Sequence, residues 1–186
     1  MELRARGGAV EVVPTDLTDE TAVQQLAAHI GAVDVVVHSV GGAIVAPFSA
    51  LSLAQWETSL RTLLTSAFLL TKYTAPQMPS GSLIVYVASV AARQAFPGWA
   101  AYSAAKHGLL GFANAVREEL RPQGVRVTTV LPAATDTDLW HAVPGEWNRT
   151  NMLRADDVAR AIASLLDQPP YVTVEDLVIG HTAGRL

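Results

Sequence analysis

The chain has 186 residues, 50% of them hydrophobic, with 13 basic and 17 acidic side chains and a formal charge of -4. That is enough apolar surface for a single domain and short for two, and charge so scattered excludes the electrostatic footprint of a nucleic-acid or anionic-membrane binder. Cysteine is absent, which excludes disulfides, a thiol nucleophile and a thiolate-bound metal and agrees with a cytoplasmic setting, while the central apolar run 63–71 is far shorter than the roughly 20 residues of a membrane span.

Residues 9–14 open a series of five short runs rich in β-branched side chains and are predicted as the first strand. A helical pattern follows over 19–30, with Gly31 placed to end it. The second strand, 33–38, is almost continuously apolar. The long helical pattern 53–74 starts with a capping box, Ser52 with Gln55. Strand 82–89, helix 99–121 with Gly124 beyond its end, strand 125–131, helix 155–167 and strand 174–179 complete the order. Strand and helix alternate, and strands apolar on both faces belong to a parallel sheet covered by helices on each side. The expected fold is α/β, an open, doubly wound parallel sheet forming one domain over 1–186.

In such a sheet, ligands collect where the strands end. The third strand ends at Ser89, and the helix after it carries Tyr102 and Lys106. Four residues apart, these two side chains share a helix face. A tyrosine of ordinary pKa about 10 is a poor base at neutral pH, and a nearby ammonium favours its phenolate. Lys106 supplies that charge, and Ser89 is placed to hold a substrate oxygen while Tyr102 exchanges the proton. The bland alternative is two unrelated surface residues. With only two lysines in the chain, that coincidence carries less weight than the functional reading.

These residues resemble the short-chain dehydrogenase/reductase family, and the likeness extends across nearly the whole chain. Ser89 stands 13 positions before Tyr102, the family's usual separation. Asp16-Leu17-Thr18-Asp19 is similar to the family's Asp-Val-Thr-Asp, in which the aspartate contacts the adenine end of the cofactor. The alternative for Asp16 is an Asx turn, with Thr18 capping the next helix. His38-Ser39-Val40-Gly41 stands where the family has Asn-Asn-Ala-Gly, matching only at Gly41. His38 is read as a histidine hydrogen-bonded to backbone or, less simply, as an acid or ligand. Pro132-Ala133-Ala134-Thr135-Asp136-Thr137 resembles Pro-Gly-x-x-x-Thr, which puts Pro132 and Thr137 beside the nicotinamide.

The resemblance implies a Rossmann-like sheet, NAD or NADP as cofactor, a small carbonyl or alcohol substrate, and hydride transfer with Tyr102 as general acid/base. Lys106 and Tyr102 would then hold the nicotinamide ribose. It also implies a homo-oligomer built through helices 53–74 and 99–121. Along the second of these, Ala101, Ala105, Gly108, Phe112 and Ala115 form a stripe suited to close helix contact, or to packing on the chain's own sheet.

Two departures qualify these expectations. The family's Thr-Gly-x-x-x-Gly-x-Gly turn is not found, and residues 1–8 read like the end of a helix, so the domain is expected as an N-terminally truncated version lacking the first βαβ unit. Run 9–14 is then expected to move in beside strand 33–38, or that edge to be covered by another subunit. Second, counting from Trp56, Leu63 stands where the family has a catalytic asparagine in a distorted helix. The competing reading is therefore a noncatalytic relative acting as a binding or regulatory subunit, or an unstable fragment. Between 137 and 153, Trp140 and Trp147 occupy the family's substrate lid and point to an apolar or cyclic substrate.

Overall fold

Asp19 starts the first helix, α1 (Glu20–Ile30), because its carboxylate accepts the Ala22 N–H, a donor the helix cannot satisfy itself. Gly31 closes it at φ 65°. In the computed structural model, which describes residues 7–184, α1 is followed by strand β1 (Val35–His38) and helix α2 (Leu53–Leu60). Ser52 and Gln55 form the expected reciprocal cap on α2. The helix then passes through one π turn, Arg61–Thr65, into α3 (Ser66–Thr74). Next come β2 (Leu83–Val87), the 21-residue α4 (Ala100–Leu120), β3 (Arg126–Pro132), the two-residue strands β4 (Thr135–Asp136) and β5 (Leu153–Arg154), helix α5 (Ala155–Ala163) and β6 (Asp176–Ile179).

The main sheet runs β1-β2-β3-β6, every pair parallel. Along β2 the two faces serve different layers. Ile84 and Tyr86 pack with Ala67, Leu109 and Ala113 of α3 and α4. Leu83 and Val85 pack with Val130, Val158 and Leu165 under α5. That is the doubly wound arrangement read from the sequence, with strand ends trimmed to the residues that share a ladder. One strand breaks the symmetry: on β1, Val36 and His38 are buried, whereas Val35 and Val37 on the opposite face are 36% and 43% exposed.

Residues 9–14 do not form a strand. They run as exposed chain, with Val12 73% exposed, and no described strand pairs with the outer edge of β1. The expectation that this run moves in beside β1 is thus corrected: β-branched residues favour an extended backbone, but a strand exists only when a neighbour takes its N–H and C=O groups. Gly7 takes φ 83° and neither it nor Gly8 is helical; the rest of the helix end expected at 1–8 lies outside the described residues. No helix among the described residues is long and apolar enough to cross a membrane, and no group of three or more metal-binding side chains occurs among them.

Arg117 ties the sheet to α4 from inside. Its guanidinium donates to the carbonyls of Val127 (2.9 Å) and Glu175 (2.8 Å) and to Asn114 Oδ1 (2.8 Å), so one buried side chain fixes β3 and the start of β6 together.

Candidate active site

The ends of all four main strands open onto one cleft of about 770 Å³, at the edge where a doubly wound sheet collects ligands. Ser39 and Gly41 follow β1, Ser89 follows β2, Pro132 ends β3 and Gly180 follows β6, and all line it. Its volume is within the ordinary range for small-molecule sites.

Ser89 turns the chain out of the sheet by accepting the Ala91 N–H at 3.1 Å, which starts a short 3-10 turn over Val90–Ala92. Its hydroxyl stands near enough to the Tyr102 phenol to influence its ionisation, and both side chains line the cleft. Burial pushes the phenol above its ordinary pKa, and the nearby Ser89 hydroxyl pulls it part of the way back. One turn further along α4, the Lys106 ammonium lies 5.6 Å from the centre of the Tyr102 ring and donates to the carbonyl of Val87 at 2.8 Å. Lys106 is buried, and burial lowers its pKa from 10.5 to about 8. The three residues singled out in the sequence are therefore together, held by the end of β2 and the first turns of α4.

Gly41, Pro132 and Thr137 also line the cleft, while Asp16 does not. Its carboxylate accepts both the backbone N–H and the hydroxyl of Thr18 at 2.8 Å, the Asx turn that was the alternative reading. The helix cap next to it is Asp19 and not Thr18.

Leu63 sits inside the π turn and is 1% exposed, so the helix is distorted at the expected place although the side chain there has no hydrogen-bonding group. Beyond it lies a polar pair that sequence reading did not find. His38 Nε2 meets Ser66 Oγ at 3.0 Å, and Ser66 Oγ donates to the Thr62 carbonyl. The partner of His38 is thus a side chain and not backbone. Nδ1 of this imidazole is buried without a hydrogen-bond partner among the described residues. Burial, and then the positive charge of Lys106, lower its pKa to about 4, so it is neutral near pH 7.

The helical stripe of α4 is largely internal. Ala101 and Ala105 are buried within the chain, and a Cβ at Gly108 would come to 2.8 Å of Leu64. The lid is built as a strap: β4 and β5 pair in parallel at its two ends, and Arg149 bonds both the Asp136 carboxylate and the Thr137 carbonyl. Other lining residues, Gln94, Phe96, Val178 and His181, carried no local pattern. They converge from separate loops, and only their assembly reveals them.

The family model for short chain dehydrogenases matches residues 1–147, and the chain belongs to that family. Among curated relatives, it is 28% identical to a sepiapterin reductase of Chlorobaculum tepidum, over 100% of this chain and 78% of that protein. It is 35% identical to a D-threitol dehydrogenase of Mycolicibacterium smegmatis, over 72% of this chain and 54% of the relative. A solved structure of the short-chain dehydrogenase/reductase type from Burkholderia xenovorans superposes with a TM-score of 0.86 at 31% identity, covering 96% of this chain and 76% of the other. BdcA, solved in complex with NADPH, superposes with a TM-score of 0.85 at 25% identity, covering 100% and 80%.

Proposed function

We propose that the chain works as an NAD- or NADP-dependent oxidoreductase that interconverts a carbonyl compound and its alcohol. The observation that carries this reading is the convergence of Ser89, Tyr102 and Lys106 on one cleft lined by strand ends, with the Lys106 ammonium 5.6 Å from the centre of the Tyr102 ring. The NADPH complex of BdcA and the dehydrogenase and reductase names of the relatives support it.

The donor set fits the nicotinamide end of the cofactor. Lys106 donates to Val87 alone among the described hydrogen bonds, and an ammonium has three donors. Lys106 and Tyr102 would hold the ribose hydroxyls, with Pro132, Thr137 and Gly41 beside the ring and Asp16 assigned to the adenine end. The cofactor supplies or accepts a hydride at the substrate carbon. In the reducing direction, Ser89 holds the carbonyl oxygen, Tyr102 gives it the proton, and the charge left on the phenolate is stabilised by Lys106. Self-association through 53–74 and 99–121 belongs to this reading and is supported by Phe68, 44% exposed on α3 and in edge contact with Phe112 of α4.

The test is calorimetric titration of the folded chain with NADH and NADPH, followed by a carbonyl-reduction assay. Binding at micromolar level is expected, with Tyr102→Phe retaining it and losing turnover by at least about 100-fold. Turnover that survives Tyr102→Phe overturns the mechanism. Leu63 supports a second reading, a noncatalytic relative that binds partners, and a folded chain that takes neither nucleotide would favour it.

A further inference from the structure

One wall of the cleft is a run of aromatic rings that starts at the reactive phenol. Trp99 stands edge-on to Tyr102 with ring centres 5.2 Å apart, Trp140 follows at 6.1 Å from Trp99, and Trp147 at 4.9 Å from Trp140. All four line the same cleft, and the three indoles are each only partly buried. They come from two segments held independently. Trp99 is the N-cap residue of α4 next to Gly98, whose φ is 82° and whose carbonyl accepts the Ala46 N–H of the loop after β1 at 2.9 Å. Trp140 and Trp147 belong to the lid that Arg149 straps down.

The polar end of Trp140 is already spoken for, since its Nε1 donates to the Thr135 carbonyl at 2.8 Å. That bond fixes the indole and leaves its ring surface as the group it offers to a ligand. Phe96, Leu139 and Ile162 extend the apolar lining. The described lining residues include no aspartate, glutamate or arginine, and its one lysine is Lys106. A substrate carrying an ammonium would give up its hydration there with no counter-charge to replace it, and an anionic one would find only Lys106, which the proposed reaction commits to the cofactor.

We infer that Trp99, Trp140 and Trp147 select a neutral substrate with a planar aromatic or fused ring directly attached to the reacting carbonyl or carbinol carbon. The inference rests on the proposed reaction for which atom reacts, but its recognition step is read without turnover. The ring lies along the indole wall, and the attached oxygen then falls to Ser89 and Tyr102. Straight-chain ketones lose the ring contacts, and oxo acids are disfavoured because the one ammonium of the lining, Lys106, is committed to the cofactor in the proposed reaction.

Saturation-transfer NMR on the full chain, with acetophenone, hexan-2-one and acetoacetate as probes, tests this directly. Acetophenone is expected to bind at least about 10-fold more tightly than hexan-2-one, with saturation strongest at its ring protons, and acetoacetate not at all. Trp140→Ala and, separately, Trp99→Leu should each weaken acetophenone by about 5- to 10-fold, while Trp56→Phe, outside the cleft, leaves it unchanged. Equal binding of hexan-2-one, or affinity indifferent to both cleft variants in folded protein, overturns the assignment and reduces the indoles to a seal against water. A chain that reduces hexan-2-one as fast as acetophenone, with Tyr102 still required, overturns the substrate class and leaves the reaction intact. Ring-selective binding without any reduction does the reverse.

Discussion

The ammonium of Lys106 and the carbonyl of Val87, 2.8 Å apart, join the first turns of α4 to the last residue of the central strand β2. The bond positions the charge but does not repay its burial. Lowering the pKa from 10.5 to about 8 corresponds to about 3 kcal/mol against the charged form. The sign follows: the cost is present below pH 8, where the group is charged in both states, and is relieved as pH rises toward 10.5. We expect Lys106→Met, which loses one hydrogen bond but removes the charge, to stabilise the chain at pH 7 by about 1–2 kcal/mol and raise Tm by roughly 5 °C. The advantage should shrink by pH 9.5, while turnover is lost. Thermal denaturation at the two pH values checks it; a lower Tm for the variant at pH 7 contradicts the account.

His38 imposes the opposite experiment. Its folded pKa of about 4 lies below the ordinary 6.5, so the folded state binds fewer protons than the unfolded state between those values. Its contribution is complete above pH 6.5 and is lost as pH falls to 4, a change of about 3 kcal/mol. Acidic groups also weaken the fold in that range, so the quantity to measure is the difference between the native chain and His38→Asn in urea melts from pH 4 to 7. The native chain is expected to lose ground to the variant steadily on acidification; parallel curves would contradict the assignment.

Arg117 is the buried tie between β3 and the start of β6. Arg117→Met keeps much of the apolar stem and leaves the carbonyls of Val127 and Glu175 without their charged donor. A loss on the order of 3 kcal/mol is expected, read as a fall in Tm of roughly 10 °C. Hydrogen exchange should show 126–132 and 176–179 opening first.

For the association proposed through α2, α3 and α4, sedimentation of the native chain should show a species larger than a monomer. Phe68→Glu puts a charge on the most exposed aromatic ring of α3 and should yield monomer with unchanged far-ultraviolet dichroism. A native chain that sediments as monomer would contradict the oligomer.

Much of this arrangement was legible beforehand because it rests on local rules. The alternation of strand and helix, the Ser52 cap and the Tyr102–Lys106 spacing each depend on a few neighbouring residues. The signals that misled or were absent depend on partners distant in the chain. Residues 9–14 have a strand's composition and lack a ladder. Arg117 reads as one more charge on a helix until the sheet closes over it. His38 finds Ser66 only because the helix carrying it is wound one residue differently, which no periodicity count over 53–74 reveals.

That winding has a mechanical consequence. The π turn at Arg61–Thr65 adds one residue to a continuous rod, and each added residue rotates the downstream helix by about 100°. The two segments meet different neighbours: α2 lies against α4, while α3 lies against α1 and, through Ala67 and Phe68, also against α4. Leu63 has therefore a job that needs no polar atom. It fills the wide turn with hydrocarbon, and the turn carries Ser66 to within 3.0 Å of His38 without a polar side chain at that position.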